Sequence, residues 1–145
     1  MLRKSRIDIY NYLYTKLHGV VTKNVYSMNE PQELTESDTK DGFVVIRVGD
    51  LNDESEFSGA AYGWTRVFIE AYVPPKSRGR LDKEKYVSFE NGINTVIENA
   101  ASQQEGIYGI QEGSIISMDA VEETNANNNY FMFVKSFILT IDEVL

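Results

Sequence analysis

The residues of this sequence that could carry chemistry are carboxylates, one histidine and one group of cations. The segment DLNDESEFSG begins like a calcium-binding loop, because Asp50, Asn52 and Glu54 alternate as the oxygen ligands of such a loop do. Ser55 then stands where the loop needs its turn glycine, and Ala61 where it needs a bidentate glutamate. We therefore predict no metal site in this segment.

Nucleophilic and redox catalysis lack their usual residues. The chain has no cysteine, and His18, its only histidine, stands near the predicted C-terminus of a helix, where we expect a surface residue rather than a base. The glycine-containing segment GIYGIQEG lacks the Lys-Ser/Thr pair of a phosphate-binding loop. Carboxylates brought together by the fold remain an enzyme alternative that no spacing supports. We predict a protein that is not an enzyme and that binds no cofactor.

Five cations lie close together between a predicted strand and a predicted helix: Lys76, Arg78, Arg80, Lys83 and Lys85. The chain as a whole has a net charge of -8 and a pI near 4.7, whereas a dedicated DNA-binding protein presents a dominant basic face. A solvated turn, a contact with an acidic protein and a contact with nucleic acid all remain open. We assign the first three of these cations to partner binding.

Charge alternates in blocks along the chain. Residues 1–29 carry a net charge of +4, 30–56 of -7, 57–85 of +3 and 86–145 of -8. Blocks of opposite sign can orient like subunits head to tail, although solvated faces can also fall in blocks.

The elements that must position these residues form one α+β domain over 1–145. Ser5 and Gly19 are suited to cap a first helix whose apolar residues recur at helical spacing. The remaining pattern predicts strands over 20–27, 43–51, 60–73, 114–121 and 130–142, a polar loop over 29–42 and a hairpin loop over 122–129. We expect an antiparallel sheet of four to five strands with two helices packed on one face.

The segment YVSFENGINTVI can be interpreted in two ways. Its Asn-Gly pair between alternating residues is a strong hairpin signal. Its apolar residues also form a continuous helical stripe, and Asp82 is a good N-cap before it. We predict a helix, although Gly92 within it costs about 1 kcal/mol relative to alanine.

The predicted strands carry more apolar surface than two helices can cover. Strand 130–142 is apolar on both faces, and strand 60–73 presents an aromatic second face. Exposed apolar surface of this kind usually marks an interface, and its residue types are those enriched at interfaces. We expect a partner or another subunit to cover it, the alternative being that the long loops of the chain do so. The predicted contact residues are Tyr62, Trp64, Arg66, Phe68 and Tyr72.

The order of elements resembles that of the phage tail-terminator and tail-completion (head-tail joining) proteins. The matching pieces are RIDIYNYLYTKLHG, FVVIRVGDL with GWTRVFIEAYV, DKEKYVSFENGINTVIENA and YFMFVKSFILTIDEVL. The resemblance implies a structural protein that forms a ring, possibly a hexamer, which caps the tail tube and joins it to the neck. It also implies other tail or neck proteins as partners, proximity to DNA, and a place in the virion or the host cytoplasm.

A different class of protein fits the same pattern, namely a small α+β adaptor or regulatory module without a virion role. Neither class requires a membrane, and the sequence shows no signal peptide and no apolar run long enough to span a bilayer.

Overall fold

The computed structural model describes residues 2–29, 31, 33–55, 61–77, 80–103, 107–125 and 128–143. Within these ranges the helices are α1 (Arg6–Leu17), α2 (Glu36–Asp41) and α3 (Lys83–Gln103). The strands are β1 (Val25–Ser27), β2 (Phe43–Val48), β3 (Asn52–Asp53), β4 (Tyr62–Val73), β5 (Tyr108–Ile110), β6 (Ile116–Asn125) and β7 (Asn128–Asp142).

The seven described strands form one mixed sheet in the order β1-β2-β4-β7-β5, with β3 added beside β4 and β6 beside β7. Strand β1 runs parallel to β2, and every other pair is antiparallel. Strands β4 and β7 pair over twelve residues each, from Tyr62 opposite Asp142 to Val73 opposite Phe131. These two long strands therefore form the centre of the molecule.

The main core lies between this sheet and the helices α1 and α3. The odd-numbered residues of β4 and β7 point into it, as the alternation along strand 60–73 predicts. Its fully or nearly buried members include Ile9, Leu13, Leu17, Val67, Ile69, Ala71, Phe89, Ile93, Phe133, Phe137, Leu139 and Ile141. At about 25 cal/mol per Å² of buried apolar area, this layer dominates the stability of the fold.

Both long helices begin at the residues that the sequence indicates. Ser5 caps α1, and Asp8 completes a capping box in which its carboxylate accepts the Ser5 N–H at 2.7 Å. Gly19 follows α1 with φ +81°, a left-handed conformation that glycine adopts without strain. Asp82 caps α3, since its Oδ1 accepts the Lys85 N–H at 3.2 Å.

The segment with the Asn-Gly pair is helical, which confirms the helix and excludes the hairpin. Gly92 has a packing role that explains its presence in the helix. A Cβ at this position would lie 2.9 Å from Val21 Cγ2 and 3.5 Å from the Val20 carbonyl oxygen. The absence of a side chain therefore lets α3 pack closely against the turn that follows α1.

The α+β class is confirmed, but the finer description of the sheet is wrong in several respects. The described sheet is mixed and has seven strands, and a third helix, α2, lies inside the predicted loop 29–42. Strands β3 and β5 were not predicted because each has only two or three residues. Strand β1 begins at Val25 rather than at residue 20, and β6 and β7 extend into the predicted hairpin loop.

Candidate interaction surface

The sheet face turned away from α1 and α3 holds the predicted contact residues. We call it the second face and define it by the even-numbered residues of β4, from Tyr62 to Tyr72, with their cross-strand neighbours. Cross-strand neighbours lie on the same face of a sheet, so the register shows which residues of β2, β6 and β7 belong to it.

One end of the second face is covered by the chain itself. Phe43, Val45, Tyr72 and Tyr130 form a second apolar cluster there, against which Leu34 packs from the segment before α2. Tyr72 is only 4% exposed, and its ring stacks on that of Phe43 with centroids 4.5 Å apart. Folding of the chain's own segment over this end accounts for Tyr72, as the alternative interpretation of the apolar surplus expected.

Helix α2 is held over this end by a buried polar contact. The Tyr26 hydroxyl donates to Asp38, with its oxygen 2.8 and 2.7 Å from the two carboxylate oxygens, and Asp38 is completely buried. The Asp38 carboxylate also accepts the Thr35 N–H at 3.0 Å, and the Thr35 hydroxyl accepts the Asp38 N–H at 3.1 Å. Burial and the Asp38 carboxylate raise the pKa of Tyr26 to about 12.

The middle of the second face is open. Phe68, Ile116 and Met118 are 37%, 53% and 59% exposed. Phe68 and Ile116 both pair with Ser136, from opposite sides, and Met118 pairs with the next residue of that face along β7, Val134. We call these three residues the open patch. They lie on three neighbouring strands, and Ser136 of β7 stands between Phe68 and Ile116.

Charged residues of the second face are tied to the sheet beside the open patch. Arg66 donates from Nη1 to the Ser136 hydroxyl at 2.9 Å. Arg47 forms an ion pair with Glu70 at 2.9 Å and donates from Nη1 to the Met28 carbonyl oxygen at 2.6 Å. Arg66 therefore places a charge at Ser136, between Phe68 and Ile116, whereas Arg47 borders the patch beside its cross-strand partner Phe68.

The other end of the second face holds Tyr62 and Trp64, both half-buried. Trp64 donates from Nε1 to Glu54 at 3.1 Å, which holds the indole against the loop before β4. Tyr62 and Tyr72 are ten residues apart on one strand, or about 33 Å at 3.3 Å per residue. The predicted aromatic residues are therefore spread along β4 rather than gathered at one site.

The basic turn follows β4 at its covered end. Lys76 and Arg80 are exposed, whereas Arg78 lies outside the described residues. Lys76, Arg80, Leu81 and Lys83 line a surface cavity of about 450 Å³. The structure thus brings Lys76 and Arg80 together with Lys83, and it places them at the opposite end of β4 from Tyr62 and Trp64.

Two residues of the open patch were not predicted. Ile116 and Met118 alternate with Ser117 in the predicted strand 114–121, so the period indicated that they share a face. Which face that is depends on the pairing of Ile116 with Ser136, a contact between residues far apart in the sequence.

Within the described ranges, no group of three or more His, Cys, Asp or Glu side chains is arranged to hold a metal ion. None of the helices there is long and apolar enough to cross a membrane. No protein-family model matches the chain, and no curated protein matches it.

Proposed function

We propose that this chain is a structural assembly protein that associates with copies of itself through the open patch. The observation that carries the proposal is the exposure of Phe68, Ile116 and Met118 side by side on a sheet face. Contiguous exposed apolar surface is a common mark of an interface. No catalytic constellation competes with this interpretation among the described residues, where carboxylates, amides and hydroxyls serve caps and cross-strand contacts.

The form of assembly that we propose is a ring of the tail-terminator type. Its support is the α+β architecture, the order of the long elements and the separation of charge along the chain. A contact between two different surfaces of the same chain produces a closed ring when the rotation closes. In that arrangement the basic turn, with Lys76, Arg78 and Arg80, would meet an anionic partner at the end of β4.

The test is the molar mass of the protein in solution, measured by light scattering over a range of concentrations, with electron microscopy of the assemblies. The variant Phe68→Ser/Met118→Ser removes apolar area from the open patch. Its two new side chains are the same as that of the neighbouring Ser136. We expect the wild type to form a defined oligomer and this variant to be at least tenfold weaker in association, because each buried apolar side chain contributes about 1.5–3 kcal/mol.

The matched control is Ile7→Ser/Val87→Ser, which removes two exposed apolar residues from α1 and α3. We expect it to associate like the wild type. A wild type that stays monomeric at high concentration would contradict the assembly proposal. Equal loss of association in both variants would contradict the assignment to the open patch.

The second candidate is an adaptor that binds another protein at the same surface. It is favoured by the position of β6, whose only partner among the described strands is β7, so that one edge of β6 is available for an added strand. A monomeric protein that binds an extended peptide along β6 would support the adaptor and not the ring.

A further inference from the structure

The cavity in the basic turn has a lining unlike the rest of this acidic chain. The lining residues that the structure describes are the cations Lys76, Arg80 and Lys83 together with Leu81. The cavity volume of about 450 Å³ falls within the range of small-molecule sites, roughly 300–1,000 Å³. A pocket with this lining is suited to a small ligand of high negative charge.

Short-range backbone contacts build the cavity. The Lys76 N–H donates to the Arg80 carbonyl oxygen at 3.0 Å, and the Arg80 N–H donates to the Ser77 carbonyl oxygen at 2.9 Å. Pro74, which is buried, joins this turn to the end of β4, and the Asp82 cap joins it to α3. The turn therefore presents Lys76 and Arg80 from one side and Lys83, the first residue of α3, from the other.

The three cations have no anionic partner in the part of the chain that the structure describes, where the ion pairs use other cations: Arg6, Arg47, Lys85 and Lys135. Even the neighbouring Lys85 turns away, towards Asp41 and the Lys40 carbonyl oxygen. Like charges around one cavity repel each other, and a bound anion removes that repulsion.

The side chains, rather than the helix N-terminus, would hold the anion. The Asp82 carboxylate already accepts the Lys85 N–H, so this amide of the first turn is occupied. The planar guanidinium of Arg80 matches the geometry of phosphate oxygens, and the two lysines act as point charges beside it.

The net negative charge of the chain favours a compact anionic ligand over an extended one. Extended nucleic acid would run over neighbouring surface of a protein with a net charge of -8, and repulsion acts over a Debye length of about 8 Å at physiological salt. A small polyanion can lie in the cavity beside the three cations without running over the acidic surface.

We propose that the cavity lined by Lys76, Arg80 and Lys83 binds a compact polyphosphate group, either free or as the phosphate tail of a nucleotide. This inference goes beyond the proposed assembly function. It concerns a site formed within one molecule, so it holds whether the protein is a monomer or a ring.

The test is isothermal titration calorimetry of the full chain with pyrophosphate, inorganic tripolyphosphate, adenosine triphosphate, adenosine and a short DNA duplex. We expect pyrophosphate, tripolyphosphate and adenosine triphosphate to bind and adenosine not to bind. Lys76→Ala/Arg80→Ala should weaken pyrophosphate binding by roughly a factor of ten or more per cation, because a charged hydrogen bond is worth about 1.5–3 kcal/mol. Adenosine triphosphate binding tighter than inorganic tripolyphosphate, which has the same number of phosphates, would identify a nucleotide as the source, and the reverse order a free polyphosphate.

The matched control is Arg3→Ala/Lys4→Ala, which removes two exposed cations whose backbone amides bond to Glu143, at the opposite end of the central strands from the cavity. Absence of pyrophosphate binding, or an equal loss in the control, would overturn the site. Tighter binding of the duplex through the same cations would overturn the compact ligand. Light scattering on the same samples tests the assembly proposal separately. A monomer that binds pyrophosphate would support the anion site and contradict only the ring.

Discussion

The carboxylate of Asp53 stabilises the fold through hydrogen bonds to two backbone amides. Its Oδ2 accepts the Leu2 N–H at 3.0 Å and its Oδ1 accepts the Ser55 N–H at 3.0 Å. The Ser55 hydroxyl hydrogen bond, followed by the Leu2 and Ser55 amides, lowers the pKa of Asp53 from 3.8 to about 2. Asp53 therefore holds the start of the chain, where Leu2 is 9% exposed, against the sheet.

We predict that Asp53→Asn makes stability less sensitive to acid. A lowered folded-state pKa contributes stability that is present above the unfolded value of 3.8 and is lost as the pH falls towards about 2. The wild type should therefore lose stability across this range, and the variant should lose less of it. Urea denaturation at a series of pH values measures the difference. Asp50→Asn, at a fully exposed side chain, is the control, and the same acid response in wild type and Asp53→Asn would refute the prediction.

At the scale of the element, α3 shows tertiary packing overriding a local rule. Gly92 lowers the helix propensity of this segment. It is nevertheless required, because the turn containing Val20 and Val21 lies against the helix at this point. The apolar stripe through Phe89, Ile93 and Ile97 favours a helix over a hairpin. In a helix all three side chains lie on one face and are buried against the sheet.

We predict that the effect of Gly92→Ala on stability changes sign with the residue at position 21. In the wild type the new Cβ collides with Val21, a stiff β-branched side chain, and we expect a loss of about 1 kcal/mol in the free energy of unfolding. In a Val21→Ala background the contact is relieved, and alanine should stabilise α3 by up to about 1 kcal/mol relative to glycine. A double-mutant cycle by chemical denaturation measures this, and additive effects would contradict the packing argument.

In the whole molecule, the two faces of the sheet differ in how completely they are covered. One face is closed by α1 and α3, whereas α2 covers only the Tyr72 end of the other and leaves the open patch in solvent. The exposed apolar area therefore depends on how firmly α2 stays in place, and the Tyr26–Asp38 contact is the buried polar link that holds it.

We predict that Tyr26→Phe loosens this cover. It leaves the buried Asp38 carboxylate without its hydroxyl donor, which costs about 1–3 kcal/mol. The wild type should also lose stability as the pH rises from 10 to about 12, since the unfolded tyrosine ionises first, and the variant should lose less. Thermal unfolding and binding of a hydrophobic dye are the measurements. Tyr14→Phe, at a more exposed ring, is the control, and equal dye binding in both variants would count against the role of α2.

The local structure of the long elements follows from short-range patterns in the sequence. The caps Ser5 and Asp82, the stripe of α3 and the alternation along β4 depend on residues close together in the chain, and these predictions are confirmed. The predicted stripe of α1 is confirmed at Tyr10, Leu13 and Leu17, whereas Ile7 and Tyr14 are exposed. The sequence also indicated the apolar surplus of the strands and the group of cations, because both can be read from residue types at short spacing.

Which part of the apolar surface stays exposed depends on contacts between distant segments of the chain. Helix α2 lies in a segment predicted as a loop because it has no apolar stripe, and its place on the second face depends on the distant partner Tyr26. The open patch likewise needs the pairing of Ile116 and Phe68 with Ser136. Such contacts join residues far apart in the chain, and local propensity and period carry no information about them.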